Sequence, residues 1–134
     1  MHYMLDTNTC IYIMKHHPSE VQDRLRGIPI GDIAVSSIVL AELWHGICKS
    51  KNRKYNQEVL SDFLSYCYVL DWPGEAAQVY GEIRSSLEAQ GLIIGGNDLL
   101  IAAHTTHLNA VLITNNEREF RRVQGLKLEN WVST

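Results

Sequence analysis

The sequence predicts an α/β fold in three layers, α/β/α, with a central parallel sheet of four to five strands. Three observations carry this. Short apolar runs alternate with longer stretches of helical periodicity along the whole chain, the pattern of repeated β–α–β units. One run, Ala110-Val111-Leu112-Ile113, is continuously apolar, as a strand covered on both faces should be. Two runs end abruptly in short polar side chains, Asp6-Thr7-Asn8 and Thr114-Asn115-Asn116, which cap helices and make turns.

Residues 2–5 read as the first strand. Asp6, Thr7 and Asn8 can each cap the helix expected over residues 10–15. Pro18 and Ser19 lead into a polar helix over residues 20–26, with Val21 and Leu25 four apart and Gly27 closing it. Residues 32–36 form the second strand. Ser36 or Ser37 then caps a long helix reaching about Lys49, striped by Leu40, Leu43, Trp44 and Ile47. Glu42 lies off that stripe, on the face of Ile38, His45, Gly46 and Lys49. A basic connection over residues 49–54 leads to an amphipathic helix with Val59, Leu60, Phe63, Leu64 and Cys67 inward.

Residues 68–70 are the third strand. Trp72-Pro73-Gly74 breaks the chain and starts the longest helix, with Ala76, Val79, Tyr80, Ile83 and Leu87 as its stripe and Gly91 at its end. A loop over residues 92–96 follows, and Asn97 caps a helix over residues 98–108 that is apolar almost all round. Residues 110–113 make the fourth strand, residues 117–122 a helical turn and residues 126–128 a last edge strand. Trp131 ties down the tail; Trp44, Trp72 and Trp131 all read as core or interface anchors.

At 134 residues the chain suits one domain, 1–134, large enough for a real core. No apolar run approaches the ~18 residues of a membrane helix, and no basic segment precedes the first strand as in a signal peptide. A cytoplasmic protein is expected. Cys10, Cys48 and Cys67 are odd in number and widely spaced; they form no zinc pattern or disulfide framework and read as reduced packing residues. A net charge of −3 argues against an undirected nucleic-acid binder, though not against an acidic site neutralised by a bound cation.

Such a site is suggested by where four carboxylates fall. Asp6 ends the first strand, Glu42 is early in the helix after the second, Asp98 is in the first turn of the helix before the fourth, and Glu119 follows the fourth. In a parallel sheet the strand ends converge at one edge. Crowded carboxylates repel and need a cation to stay ionised. Mg²⁺ and Mn²⁺ take oxygen ligands and can activate water, orient a phosphodiester and offset transition-state charge. Each acid also has a plain structural role open to it: a helix cap for Asp6, a dipole partner for Asp98, and a solvated face for Glu42 and Glu119. His104 and His107 lack a third ligand and read as packed or hydrogen-bonded side chains. No Gly-Lys-Ser/Thr follows Gly91, Gly95 and Gly96, so they form no phosphate loop.

Leu5-Asp6-Thr7-Asn8, Ala41-Glu42-Leu43 with Gly46, Asn97-Asp98-Leu99-Leu100-Ile101-Ala102-Ala103-His104, and Thr114-Asn115-Asn116 with Glu119-Phe120 together resemble the PIN-domain ribonucleases. More narrowly, they resemble the VapC toxins of VapBC toxin–antitoxin modules. The resemblance implies that Asp6, Glu42 and Asp98 hold Mg²⁺, with Mn²⁺ able to substitute. Many PIN domains carry an aspartate where this chain has Asn116; Glu119, one turn on, is the substitute. Thr7, Asn8, Thr114 and Asn116 would support or position the site.

The implied activity is a toxic endoribonuclease in which an activated water attacks the phosphodiester in line, leaving 5′-phosphate and 3′-hydroxyl ends. Its implied substrate is tRNA, in particular the initiator tRNA anticodon stem-loop. The resemblance also implies a homodimer, inhibited by a VapB-type antitoxin and able to assemble further with it. Lys49, Lys51, Arg53 and Lys54 in one basic segment, and Arg118, Arg121 and Arg122 in another, are candidates to grip the RNA backbone. Two other classes compete: a non-catalytic binding module, suggested by the acid missing at Asn116, and an aspartate-based phosphatase, disfavoured because Asn8 stands where a second aspartate is needed.

Overall fold

At the centre of the computed structural model, which describes residues 2–132, lies β1 (Tyr3–Leu5). Flanking it are β2 (Ile33–Ser36) on one side and β4 (Val111–Ile113) on the other. β3 (Tyr68–Leu70) and β5 (Lys127–Glu129) close the two edges, giving the order β3-β2-β1-β4-β5 with every pair parallel. The expected domain of residues 1–134 includes residues 1, 133 and 134, which lie outside the described residues.

Seven α-helices connect the strands among the described residues: α1 (Thr7–Lys15), α2 (Ser19–Arg26), α3 (Ser37–Cys48), α4 (Arg53–Leu64), α5 (Ala77–Gln90), α6 (Gly96–His107) and α7 (Glu117–Phe120). Neighbouring side chains of a strand point to opposite faces. All four residues of β2 are buried, as are Met4, Leu5, Leu112 and Ile113, so helices cover both faces in the expected three layers. α1 packs on α2, α3 and α4, while α5 packs on α6. The chain steps outward from β1 through β2 to β3, then crosses to β4 on the far side of β1. The reversal point between β1 and β4 is where open parallel sheets leave a crevice at their carboxyl edge.

Three local expectations change. α1 starts at Thr7 rather than near Cys10, because Asp6 itself is the cap, its side chain accepting from Thr9 N–H. α6 starts at Gly96 with Gly95 as its cap residue, so Asn97 is already inside the helix and its side chain is free for another partner. The buried stripe of α3 is Val39, Leu43 and Ile47, with Leu40 only half-buried, and Trp44 is 39% exposed. α3 is contacted by α1, α4, α6, β2 and β3, and these neighbours cover the i, i+4, i+8 row instead of the row one residue on. Cys48, expected to pack inside, is exposed for the same reason, whereas Cys10 is buried.

Leu112 is fully buried on a central strand. Leu112→Ala should lower the unfolding free energy by about 3.5 kcal/mol, the middle of the range for a buried leucine truncation, as measured by urea denaturation.

Candidate active site

Asp6 leaves β1 in register with the strand beside it. Leu5 pairs with Ile113, and the Asp6 N–H continues the ladder by donating to the Ile113 carbonyl at 3.1 Å. The side chain is only 5% exposed. Its Oδ1 accepts from Thr9 N–H at 2.9 Å, while the Thr9 hydroxyl donates to Ile113 O at 3.1 Å. Asp6 is therefore both the cap of α1 and a member of the acidic edge. Burial pushes its carboxyl above the ordinary value; the Thr114 hydroxyl and the Thr9 hydrogen bond oppose this, and the charge of Glu42 adds to it.

Glu42 sits mid-way along α3 and is held from two sides. The Thr7 hydroxyl donates to Oε1 at 2.5 Å, and Asn97 Nδ2 donates to Oε2 at 3.3 Å. Asp98, in the first turn of α6, is half-buried. Burial raises its carboxyl to about 7, helped by a hydrogen bond to Glu119 and by the charges of Glu119, Glu42 and Asp6. Glu119 Oε2 in turn accepts from Asn116 Nδ2 at 3.1 Å. Thr114, fully buried, accepts the Asn116 N–H at 2.9 Å and shapes the turn after β4. The four acids picked out from the sequence thus come together from the start of α1 and from α3, α6 and α7.

No Lys or Arg side chain forms an ion pair with any of the four among the described residues. Asp6, Glu42 and Glu119 are met by neutral donors, from Thr7, Thr9, Thr114, Asn97 and Asn116, while Asp98 shares a hydrogen bond with Glu119. An all-oxygen, uncompensated donor set suits a hard divalent cation. No trio of His, Cys, Asp or Glu among the described residues is already gathered tightly enough to enclose an ion. Asp98 is hydrogen-bonded to Glu119 instead.

The remaining candidates are placed as follows. Asn8 is exposed on α1 and makes none of the hydrogen bonds that hold the four acids. Lys49, Lys51, Arg53 and Lys54 are all exposed; Lys49 follows Glu42 by seven residues, about 10 Å of helix rise. Arg118 and Arg121 are exposed, and Arg121 pairs with Glu117 at 3.2 Å. Arg122 donates to the Ile93 carbonyl at 3.2 Å, tying the end of α7 to the loop before α6. His104 is buried against Ser36 while His107 is exposed, so the two do not converge on a metal.

Two contributors escaped the sequence reading. Asn97 passed as a cap, though its place beside Asp98 in a first helical turn was the available signal. Thr9 stands three residues after Asp6, the spacing of a capped N–H. A cavity of about 670 Å³ lies elsewhere, between α1, α2 and α4 and lined by Ile13, Leu25, Tyr55 and Phe63. It holds none of the four acids.

Residues 3–126 match the family model of the PIN domain. The chain belongs to the PIN-domain family. It is 49% identical over 132 residues to the ribonuclease VapC2 of Rickettsia felis, covering 98% of each chain. It is 40% identical over 129 residues to the tRNA(fMet)-specific endonuclease VapC of Shigella flexneri, covering 96% of this chain and 97% of that one. A crystal structure of VapBC2 from Rickettsia felis bound to a DNA fragment from their promoter superposes with a TM-score of 0.93 at 47% identity, covering 98% of this chain and 100% of that chain. In this PIN domain the position after Thr114-Asn115 is Asn116, and Glu119 on α7 is hydrogen-bonded to Asp98.

The Asp98 carboxyl ordinarily titrates near 3.8 and here near 7. The unfolded chain therefore binds fewer protons at this position, and the stability it contributes below about pH 4 is lost as pH rises through 7. In EDTA, the melting temperature of the parent should fall relative to that of Asp98→Asn as pH is raised across this window.

Proposed function

We propose that this PIN domain is a divalent-metal-dependent endoribonuclease, the toxin partner of a VapB-type antitoxin, with tRNA as its substrate class. The observation that carries the reading is the convergence of Asp6, Glu42, Asp98 and Glu119 without a cationic side chain among them. The names of relatives matched along nearly the whole chain, a ribonuclease and a tRNA(fMet)-specific endonuclease, support RNA and favour the initiator tRNA. VapBC2 supports the antitoxin partner. No helix of the described residues is long and apolar enough to cross a membrane, and we assign the enzyme to the cytoplasm with its RNA.

Asp6, Glu42 and Asp98 are the side chains that would hold Mg²⁺ or Mn²⁺. When bound, the cation supplies Lewis acidity toward the phosphate, a more acidic water and charge neutralisation in the transition state. The chain's own residues do the rest. Thr7 and Asn97 fix the two oxygens of Glu42. Thr9 fixes Oδ1 of Asp6, and the Thr114 hydroxyl steadies the same carboxyl. Asn116 steadies Glu119, which is hydrogen-bonded to Asp98. The exposed cations of residues 49–54, with Arg118, are available to meet phosphates along the RNA.

Asp6→Asn and Asp98→Asn should retain a cooperative melt yet cleave tRNA more slowly by a factor on the order of 10² or more, the scale of losing one preorganised charge-stabilising group. Cleavage at the parent rate by either folded variant refutes the assignment. Alanine at Lys51, Arg53 or Lys54 should weaken RNA binding. Each should also reduce the slope of log K against log salt by about 0.7 per phosphate left unneutralised on single-stranded RNA. A salt titration of tRNA binding checks this.

A further inference from the structure

α3 and α6 lie side by side in opposite directions, and the hydrogen bonds between them form rungs. The lower rung is Asn97 to Glu42, at the acidic edge. The upper rung is Ser36 to His104, with Ser36 Oγ and His104 Nδ1 2.8 Å apart. Ser36, the cap of α3, stands six residues before Glu42, and Asp98 stands six before His104 on α6. Both helices therefore span about 9 Å between rung and carboxylate. Ser36 and His104 are fully buried.

The bonding of Ser36 sets how the rung is made. Its Oγ accepts the Ile38 N–H at 3.2 Å and so caps α3. Donating its single hydrogen to an unprotonated His104 Nδ1 would then use both its donor and its acceptor capacity. This arrangement satisfies all three groups, and the burial that lowers the imidazole pKa agrees with it. A third tie lies between the rungs. Trp72 donates its backbone N–H to Ser37 Oγ at 3.0 Å and its indole Nε1–H to the Leu100 carbonyl at 2.9 Å. Its ring is held edge-on against Tyr80, with centroids 6.5 Å apart. One residue thus bridges the first turn of α3 and the first half of α6.

We propose that Ser36, His104 and Trp72 are positioning residues, a clamp that sets the register of α3 against α6 and with it the separation of Glu42 from Asp98. This rests on the reading of Asp6, Glu42 and Asp98 as the cation site. A slip of one residue between the helices displaces Glu42 along its axis by about 1.5 Å, enough to spoil a ligand set that demands near-ideal geometry. Ser36 and His104 are buried beneath the surface, and Trp72 is held by its bonds to Ser37 and Leu100. They act through the two acids, in the way groups behind metal ligands commonly do, where their loss costs about 10–100-fold in affinity or rate.

The test is calorimetric titration with Mn²⁺, beside steady-state tRNA cleavage and melting temperature, on the full chain. Ser36→Ala should weaken Mn²⁺ binding and lower kcat by about tenfold each, with KM for tRNA unchanged. Ser36→Thr, which keeps the hydroxyl, should restore most of both. Trp72→Phe, which removes one N–H and keeps a ring against Tyr80, should shift Mn²⁺ affinity in the same direction by less.

Parent-like Mn²⁺ affinity and kcat in Ser36→Ala and Trp72→Phe overturn the clamp, whatever their melting temperatures. If Ser36→Ala fails to fold, Trp72→Phe decides alone, and unchanged Mn²⁺ affinity overturns it. Asp98→Asn separates the two levels of the reading. If it binds Mn²⁺ as the parent does, the cation site itself has failed and the clamp falls with it. If it loses Mn²⁺ while the clamp variants keep it, only the clamp has failed.

Discussion

The Asp6 N–H donates to the Ile113 carbonyl, and that bond carries the β1–β4 ladder one residue past the last paired position of β1. Everything at the acidic edge depends on this extension. It aligns the start of α1 with the turn after β4, brings Thr9 within reach of the Ile113 carbonyl, and puts Thr114 beside the Asp6 carboxylate. β1 and β4 are neighbours because the chain reverses direction across the sheet between them. The crevice of a parallel sheet opens at such a reversal, so topology, rather than any local sequence preference, decides where four like charges are gathered.

Gathering them works against folding. Four carboxylates in one partly buried place repel, and the protein answers with a shared hydrogen bond between Asp98 and Glu119 and with neutral donors for the others. An arginine would relieve the repulsion more fully, but a guanidinium in the cluster would occupy the place of a cation. Neutral donors hold each carboxylate in position without cancelling its charge. This is the arrangement expected where stability has been given up for a charged site.

The sequence made most of this legible, because the features that build the fold are local. Ala110-Val111-Leu112-Ile113 had to be a covered strand, and Asp6-Thr7-Asn8 had to end one. The acids were legible by placement, each close to a strand end. What stayed hidden depended on helix rotation and on partners distant in sequence. Trp44 and Val39 both lie on plausible apolar rows of α3, and only the neighbours packed around the helix decide which row is covered. Asn97 has good capping chemistry, so nothing nearby indicates that Gly95 takes that role and releases it to Glu42, 55 residues away. His104 read correctly as a packed histidine, yet its bond to Ser36 spans 68 residues and has no local signature.

The contributions to the edge are spread from residue 6 to residue 119, and the strand that aligns Asp6 with Glu119 is the fourth of five in chain order. During synthesis Asp6 and Glu42 emerge long before their counterparts. Until β4 has left the ribosome there is no ladder for Asp6 to extend and no α7 to bring in Glu119. A chain cut short between α5 and α6 would hold two of the four carboxylates and could not assemble the cluster. For a protein that acts on RNA, this makes completion of the chain a precondition of the activity.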